Sequence, residues 1–119
     1  MKGYLLDTSF LIDLMKQNPN ALAVHSRIKG KERTSVLCAY ELFKYSKTAA
    51  QLILKKDTIP FEKNDTFEAA RIFRKLRRAG NIIPEIDIMI AGTAVSRGLI
   101  LVTRDDHFKR VMGLNLESY

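Results

Sequence analysis

Short apolar runs alternate with helix-like segments along this chain, and that alternation constrains the fold more than any other feature. The clearest run is 99–103, and a similar run at 3–6 leads into the polar residues 7–9. The segments 64–79 and 84–97 carry apolar residues at helical spacing. Strands that alternate with helices form a parallel sheet covered on both faces. We therefore predict an α/β fold, a three-layer sandwich around a central parallel sheet of about five strands.

The same periodicities and turn residues predict the remaining elements. Predicted strands lie at 34–37, 58–61 and 114–116, predicted helices at 9–15, 21–28 and 39–54, a turn at 55–57, and a short helix or turn at 105–111. Pro60 suits an edge strand, since it donates no backbone hydrogen bond. No linker, repeat or low-complexity stretch interrupts these elements, so we expect residues 1–119 to form one domain.

Charge and cysteine content bound the partners and the compartment. The chain has 20 Lys and Arg residues against 13 Asp and Glu, a formal charge of +7, which favours encounter with a polyanion such as RNA. Charge alone leaves solubility as an equal explanation. Cys38 is the single cysteine and cannot form a disulfide within the chain, and no long apolar run occurs. We expect a cytoplasmic protein without a membrane partner.

Four acidic residues lie where predicted strands end or predicted helices begin. Asp7 directly follows the first strand, and Asp105 lies two residues beyond the strand that ends at Thr103. Glu41 and Asp87 lie near the starts of helices, and Asp87 is on the apolar face of its helix. Ligand sites of open α/β sheets lie at the carboxyl ends of the strands. The acids are therefore expected to share one edge of the sheet.

Each acid taken alone also has an ordinary explanation. Asp7 would cap a helix, Glu41 would be a solvated helix acid, Asp87 would face the helix dipole, and Asp105 would be a turn residue. Those explanations require four independent coincidences at one edge. Clustered carboxylates repel each other unless a cation lies between them, and hard cations prefer oxygen ligands. We favour a site for Mg²⁺ or Mn²⁺.

Four motifs that contain these acids resemble, in order, the acidic motifs of PIN domains. They read LLDTSFLID at 5–13, YEL at 40–42, IPEIDIMIAGTA at 83–94 and LVTRDDHF at 101–108. The segment VMGLNLE at 111–117 is similar to the tail of VapC-type toxins within that family. The resemblance covers nearly the whole chain.

The resemblance implies a sheet of order 3-2-1-4-5, endoribonuclease activity, homodimers and inhibition by a cognate antitoxin protein. It also implies a four-acid Mg²⁺ or Mn²⁺ site, with Thr8 and Thr103 lining the same pocket; the acids are Asp7, Glu41, Asp87 and Asp105. Two positions depart from the family pattern. Gly92 stands where the family more often has Ala, and a small residue is expected to serve close packing either way. Asp106 is an extra acid, and we assign Asp105 to the site because it stands two residues after Thr103.

We expect Lys44 and Arg104 to contact phosphates that flank the cleaved bond. His25 and His107 are expected to have surface or packing roles, because metal-activated water needs no histidine base. A homodimer is also expected because the helix with Phe10, Leu11, Leu14 and Met15 carries more apolar surface than the sheet covers.

The predicted function is that of a divalent-metal-dependent endoribonuclease, the toxin of a toxin–antitoxin pair. One alternative is an RNA-binding PIN domain that has lost catalysis. A second is a phosphoacceptor signalling domain, which needs an Asp at the end of the middle strand and a Lys at the end of the last. Residues 59–61 supply no such Asp, and 114–117 no such Lys.

Overall fold

A five-stranded parallel sheet forms the centre of the molecule. The computed structural model describes residues 3–54 and 57–119, without the side chains of 50 and 52–54. The strands are β1 (Tyr4–Leu6), β2 (Glu32–Ser35), β3 (Thr58–Ile59), β4 (Ile100–Val102) and β5 (Leu116–Glu117). Their order is β3-β2-β1-β4-β5, and every pairing is parallel. The predicted α/β fold and the order 3-2-1-4-5 are confirmed.

Six α-helices flank this sheet. They are α1 (Thr8–Met15), α2 (Pro19–Ile28), α3 (Val36–Phe43), α4 (Lys47–Leu54), α5 (Lys63–Ala79) and α6 (Glu85–Arg97), and a 3-10 helix covers Asp106–Arg110. Local chemistry sets several boundaries. The Asn18 side chain accepts hydrogen bonds from two backbone N–H groups at the start of α2. Gly80 ends α5 with a φ of 71°, a left-handed conformation that glycine adopts without strain.

Two predicted boundaries are wrong around β2 and α3. The predicted strand at 34–37 is shifted, because Ser35 accepts a hydrogen bond from the backbone N of Cys38 and so caps a helix that begins at Val36. The single helix predicted for 39–54 is two helices, since α3 ends at Phe43 and Ser46 accepts a hydrogen bond from Ala49 N at the start of α4. Side-chain caps competed with the apolar periodicity at both points.

The strand predicted at 58–61 covers only Thr58–Ile59, and Pro60 lies just beyond it. Because β3 pairs only with β2 in the sheet order, it is an edge strand, as the proline predicted. The predicted turn at 55–57 includes residues 55 and 56, which lie outside the described residues. Within the described part of the chain, no helix is both long and apolar enough to cross a membrane.

The contact between α5 and α6 depends on Gly92. A Cβ added at this position would lie 2.7 Å from both the Cβ and the backbone N of Ala69, closer than atoms pack. The expectation that alanine would serve equally well at this position is therefore wrong for this chain. Backbone on α5 closes over α6 at this point, and only glycine leaves room for it.

The apolar face predicted to be uncovered on α1 is largely covered. Phe10 is fully buried and Leu11 is 6 % exposed, while Met15 is 43 % exposed. The ring of Phe10 packs edge-on against Tyr119, with centroids 5.1 Å apart. The packing argument for a homodimer through this helix is thus wrong. Exposed large apolar side chains are spread over several elements, and four of them lie on and just after α3, at Val36, Tyr40, Phe43 and Tyr45.

Candidate active site

The carboxyl ends of the two central strands β1 and β4 meet at Asp7 and Thr103. Leu6 pairs with Val102 in the parallel register, so the next residue on each strand lies beside its neighbour. The backbone N of Asp7 donates to Val102 O at 3.0 Å, and Thr103 Oγ1 donates to Asp7 Oδ2 at 2.7 Å. The strand register itself thus brings these two predicted site residues into contact.

Asp7 is a buried carboxylate, 2 % exposed, held by neutral hydroxyl groups. Ser9 Oγ donates to Asp7 Oδ2 at 2.8 Å, and it lies 3.2 Å from Thr103 Oγ1. The side chain makes no N-cap hydrogen bond to α1, so the ordinary explanation as a helix cap does not account for it. Burial raises the pKa of Asp7, the two hydroxyls oppose that rise, and the charge of Asp105 adds to it.

Asp105 and Asp106 differ in their surroundings. The backbone N of Asp105 donates to Thr103 Oγ1 at 3.0 Å, and the Asp105 charge acts on Asp7. The Asp106 side chain is 86 % exposed and forms an ion pair with Lys109 at 3.1 Å. The structure therefore places Asp105 at the edge with Asp7, and Asp106 in solvent.

Glu41 joins α3 to the same edge. Its Oε1 accepts a hydrogen bond of 2.6 Å from Thr8 Oγ1, and Thr8 directly follows Asp7. The two predicted site residues Thr8 and Glu41 therefore contact each other.

Asp87, on α6, contacts a histidine. Its Oδ2 lies 2.7 Å from His107 Nε2. Burial raises the pKa of Asp87 to about 6, repulsion from Asp7 and Glu41 adds to the rise, and His107 opposes it. The sequence analysis did not predict this contact of His107 with a site residue, and the expected surface or packing role stays a prediction. The available signal was its position two residues after Asp105, inside the fourth motif.

Cys38 lies behind these acids as a buried thiol. Its Sγ donates to Leu6 O at 3.4 Å. Burial raises the pKa of Cys38 to about 12, and the charges of Asp7 and Glu41 add to that rise. A buried thiol with a raised pKa is a poor nucleophile.

The two predicted phosphate contacts, Lys44 and Arg104, already have partners. The Lys44 ammonium lies 5.3 Å and 5.7 Å from the ring centroids of Tyr40 and Tyr45. Arg104 Nε donates to Asp13 Oδ2 at 2.7 Å, and its side chain is 49 % exposed. The charge of Asp105 also acts on Arg104, so this guanidinium lies within electrostatic range of the acidic edge.

The oxygen ligands at this edge suit a divalent cation, but the side chains are not arranged around one shared position. Among residues 3–54 and 57–119, no three His, Cys, Asp or Glu side chains form a ready metal site. Glu41 and Asp87 each have one oxygen engaged, by Thr8 and His107. All four acids offer hard oxygen ligands, and a +2 ion would offset the repulsion that, after burial, helps to raise the pKa of Asp7 and Asp87.

Comparison with known proteins relates this chain to one family. The model of the PIN domain family matches residues 4–114. The tRNA(fMet)-specific endonuclease VapC of Shigella flexneri is 29 % identical, and the alignment covers 100 % of this chain and 99 % of the relative. Ribonuclease VapC2 of Haemophilus influenzae is 30 % identical with the same coverage.

Solved structures show the same fold. The structure of DNA-bound VapBC from Salmonella typhimurium contains a chain with a TM-score of 0.85 and 22 % identity, covering 99 % of this chain and 98 % of that one. In the structure of VapBC-1 from nontypeable Haemophilus influenzae, the matching chain has a TM-score of 0.81 and 25 % identity, with 97 % and 96 % covered.

Proposed function

The chain belongs to the PIN domain family, and on this premise we propose that it is a divalent-metal-dependent endoribonuclease, the toxin of a toxin–antitoxin pair. The observation that carries the proposal is the burial of Asp7 at the ends of the two central strands. It has hydroxyl donors and acidic neighbours there, where a structural carboxylate needs a cationic partner. Full-length similarity to proteins named as ribonucleases supports the reaction class.

Asp7, Glu41, Asp87 and Asp105 would hold Mg²⁺ or Mn²⁺. When bound, the ion would supply an electrophile for the scissile phosphate and would lower the pKa of the attacking water. Hydrolysis would leave a 3′-hydroxyl and a 5′-phosphate.

The neighbouring residues hold these acids in place. Ser9 and Thr103 donate to one oxygen of Asp7, which leaves Oδ1 for a ligand. The Thr8 hydroxyl holds Glu41 beside Asp7 through a hydrogen bond, and His107 holds Asp87 through an ion pair. Fixed ligand carboxylates lose less freedom on binding, which favours the bound state.

We also propose the partners and organisation that follow from the family. Solved structures with this fold include VapBC proteins, one of them described as a member of a family of toxin–antitoxin systems, so the partner expected here is an antitoxin protein. Residues 1–119 would act as one domain. A homodimer stays a proposal, with its surface moved from α1 to the exposed apolar side chains on and after α3.

Incubation of the purified protein with tRNA(fMet), the substrate in the name of one relative, and with other cellular RNA tests this function. We expect cleavage with Mg²⁺ or Mn²⁺ and none in excess EDTA. The Asp7→Asn variant, purified in the same way, controls for contaminating nuclease. Cleavage that persists in EDTA, or equally in the variant, would contradict the metal mechanism.

RNA that is bound but never cut, across cellular RNA and both metals, would favour the alternative of a catalytically silent PIN domain. The phosphoacceptor alternative is disfavoured by the sheet. Signalling domains of that type have the order 2-1-3-4-5, whereas this sheet has the order 3-2-1-4-5.

A further inference from the structure

A second buried carboxylate, Asp13, lies outside the acidic edge. It is on α1 and is 7 % exposed. Its Oδ2 accepts two hydrogen bonds, one of 2.7 Å from Arg104 Nε and one of 2.6 Å from the Tyr119 hydroxyl. The proposed reaction gives this aspartate no role.

Asp13 holds the side chain of Arg104, and the backbone of Arg104 connects it to the site. Arg104 lies between Thr103 and Asp105, and its N–H is 3.4 Å from Ser9 Oγ. That same Ser9 hydroxyl donates to Asp7. An unbroken chain of contacts therefore runs from Asp13 through Arg104 and Ser9 to the central carboxylate of the site.

Charge and burial make this contact persistent. Burial acts to raise the pKa of Asp13, but the hydrogen bonds from Tyr119 and Arg104, with the Arg104 charge, hold it below its usual value. Burial and the Asp13 charge raise the pKa of Tyr119, so its hydroxyl remains a donor. At neutral pH Asp13 is thus ionised, and Tyr119 keeps the proton that it donates.

The Arg104 guanidinium is fixed on one side and open on the other. Within the described part of the chain, only Nε of its side chain donates a hydrogen bond, and the side chain is 49 % exposed. A guanidinium held at Nε still offers its terminal N–H groups, a geometry that matches phosphate oxygens. An arginine ordered in advance loses less freedom on binding, so it binds more tightly than a free one.

We propose that Asp13 and Tyr119 are positioning residues that hold Arg104 beside the acidic edge as a contact for an RNA phosphate. The inference rests on the proposed function and adds to it a means of orienting the substrate. It predicts that Tyr119 affects RNA binding only through Arg104.

The ion pair of Arg27 with Glu117 offers a matched control. Its atoms are also 2.7 Å apart, and the Arg27 side chain is 52 % exposed. Arg27→Ala therefore removes the same charge from an arginine of similar exposure, on α2 rather than beside the site.

Binding of a short fluorescein-labelled single-stranded RNA, measured by anisotropy in EDTA over a range of salt concentrations, tests the proposal. We expect Arg104→Ala to weaken binding about tenfold and to reduce the slope of log affinity against log salt by about 0.7, the value for one phosphate contact on a single strand. Tyr119→Phe, which keeps the ring on Phe10 but removes the hydroxyl, should weaken binding about threefold. Arg27→Ala should have a smaller effect than Arg104→Ala.

Two further measurements separate positioning from a structural role. In steady-state cleavage with Mn²⁺, Tyr119→Phe should raise KM and leave kcat unchanged. In a double variant with Arg104→Ala, Tyr119→Phe should not weaken RNA binding further, because Tyr119 acts only through the Arg104 guanidinium. Asp13→Asn should behave like Tyr119→Phe if the variant folds, and the conservative Tyr119→Phe carries the test if it does not.

Several results would overturn the inference. If Tyr119→Phe lowers the melting temperature but keeps the RNA affinity and KM of the parent, the contact is purely structural. If Arg104→Ala and Arg27→Ala weaken RNA binding equally, Arg104 contributes only its positive charge and no specific phosphate contact. If the parent cuts RNA in either case, the proposed function stands and only this inference fails. A parent that neither binds nor cuts RNA removes both.

Discussion

Two buried aspartates, Asp65 and Asp7, show two different ways of placing a carboxylate inside this protein. Asp65 is 1 % exposed at the start of α5, and its Oδ2 accepts from Glu62 N at 2.8 Å and from Arg97 at 3.0 Å. Arg97 also contacts Glu62 Oε1 at 2.9 Å. Burial acts to raise the pKa of Asp65, but the hydrogen bonds and charge of Arg97 and the Glu62 backbone lower it overall.

Asp7 is equally buried, yet its partners are two hydroxyls and its charged neighbours are acids, so its pKa is raised. Asp65 has the cation it needs within the chain, and its role is to close a capping box and join α5 to α6. The contrast teaches that burial alone does not mark a functional carboxylate. A functional carboxylate is indicated instead by burial without a compensating cation.

The largest expected effect comes from Asp7→Asn. Cleavage should fall by about a thousandfold or more, about 4 kcal/mol of transition-state stabilisation, because a ligand charge is lost. In EDTA the variant should be at least as stable as the parent, since a buried uncompensated charge is removed. Mn²⁺ should raise the melting temperature of the parent far more than that of the variant. Parental cleavage by Asp7→Asn would remove this residue from the site.

Asp65→Asn should lower the stability and leave the activity unchanged, the reverse of what Asp7→Asn should do. Asp65→Asn leaves Arg97 without its buried partner, so we expect the free energy of unfolding to fall by about 2–3 kcal/mol. The activity of the folded protein should stay close to that of the parent. Urea unfolding with cleavage assays well below the midpoint measures both. A large loss of activity without a loss of stability would break the comparison.

Gly92→Ala tests the close contact between α5 and α6. The added methyl would lie 2.7 Å from atoms of Ala69, so we expect a loss of about 1–3 kcal/mol in the free energy of unfolding. The double variant with Ala69→Gly should recover part of that loss. Unfolding curves of the three proteins measure it, and a fully stable single variant would show that α5 and α6 separate easily.

The pH dependence of stability in EDTA should have opposite signs at the two aspartates. Asp7 has a raised folded pKa, so ionising it opposes folding; the gain of Asp7→Asn over the parent should be present at neutral pH and vanish as pH falls to about 3.8. Asp65 has a lowered folded pKa, so the deficit of Asp65→Asn should persist to about 3.8 and shrink only below it. Each unit of pKa shift corresponds to about 1.4 kcal/mol. Parallel profiles for the two variants would contradict the contrast.

The smallest effect is expected at Asp106. Its ion pair with Lys109 is exposed, so Asp106→Asn should change stability by less than about 0.5 kcal/mol and activity by less than about twofold. Asp105→Asn should instead lose most activity. Parallel cleavage assays decide which of the two adjacent acids serves the site, and a reversed ranking would overturn the assignment of Asp105.

The α/β fold and the positions of the acids were within reach of the sequence because each depends on local signals, whereas the sheet order 3-2-1-4-5 was expected only from the resemblance to PIN domains. The run before Asp7 and the run ending at Thr103 are strong strand patterns, and their ends carry the acids. The limits of β2 and α3 were out of reach, since the Ser35 cap competed with a strand-like pattern that continued through Val36 and Leu37. Single hydrogen bonds decide such boundaries.

The pattern of apolar runs by itself determined the α/β fold and brought Asp7, Glu41, Asp87 and Asp105 to notice, because strand and helix periods and strand ends are written along the chain. Only the tertiary structure decided which partner each acid has. The contacts Thr8–Glu41, Asp87–His107 and Asp13–Tyr119 join residues on different elements, the last pair 106 positions apart. Periodicity tells which face of an element is buried, but the partner across that face depends on how the elements pack, and that information is not local.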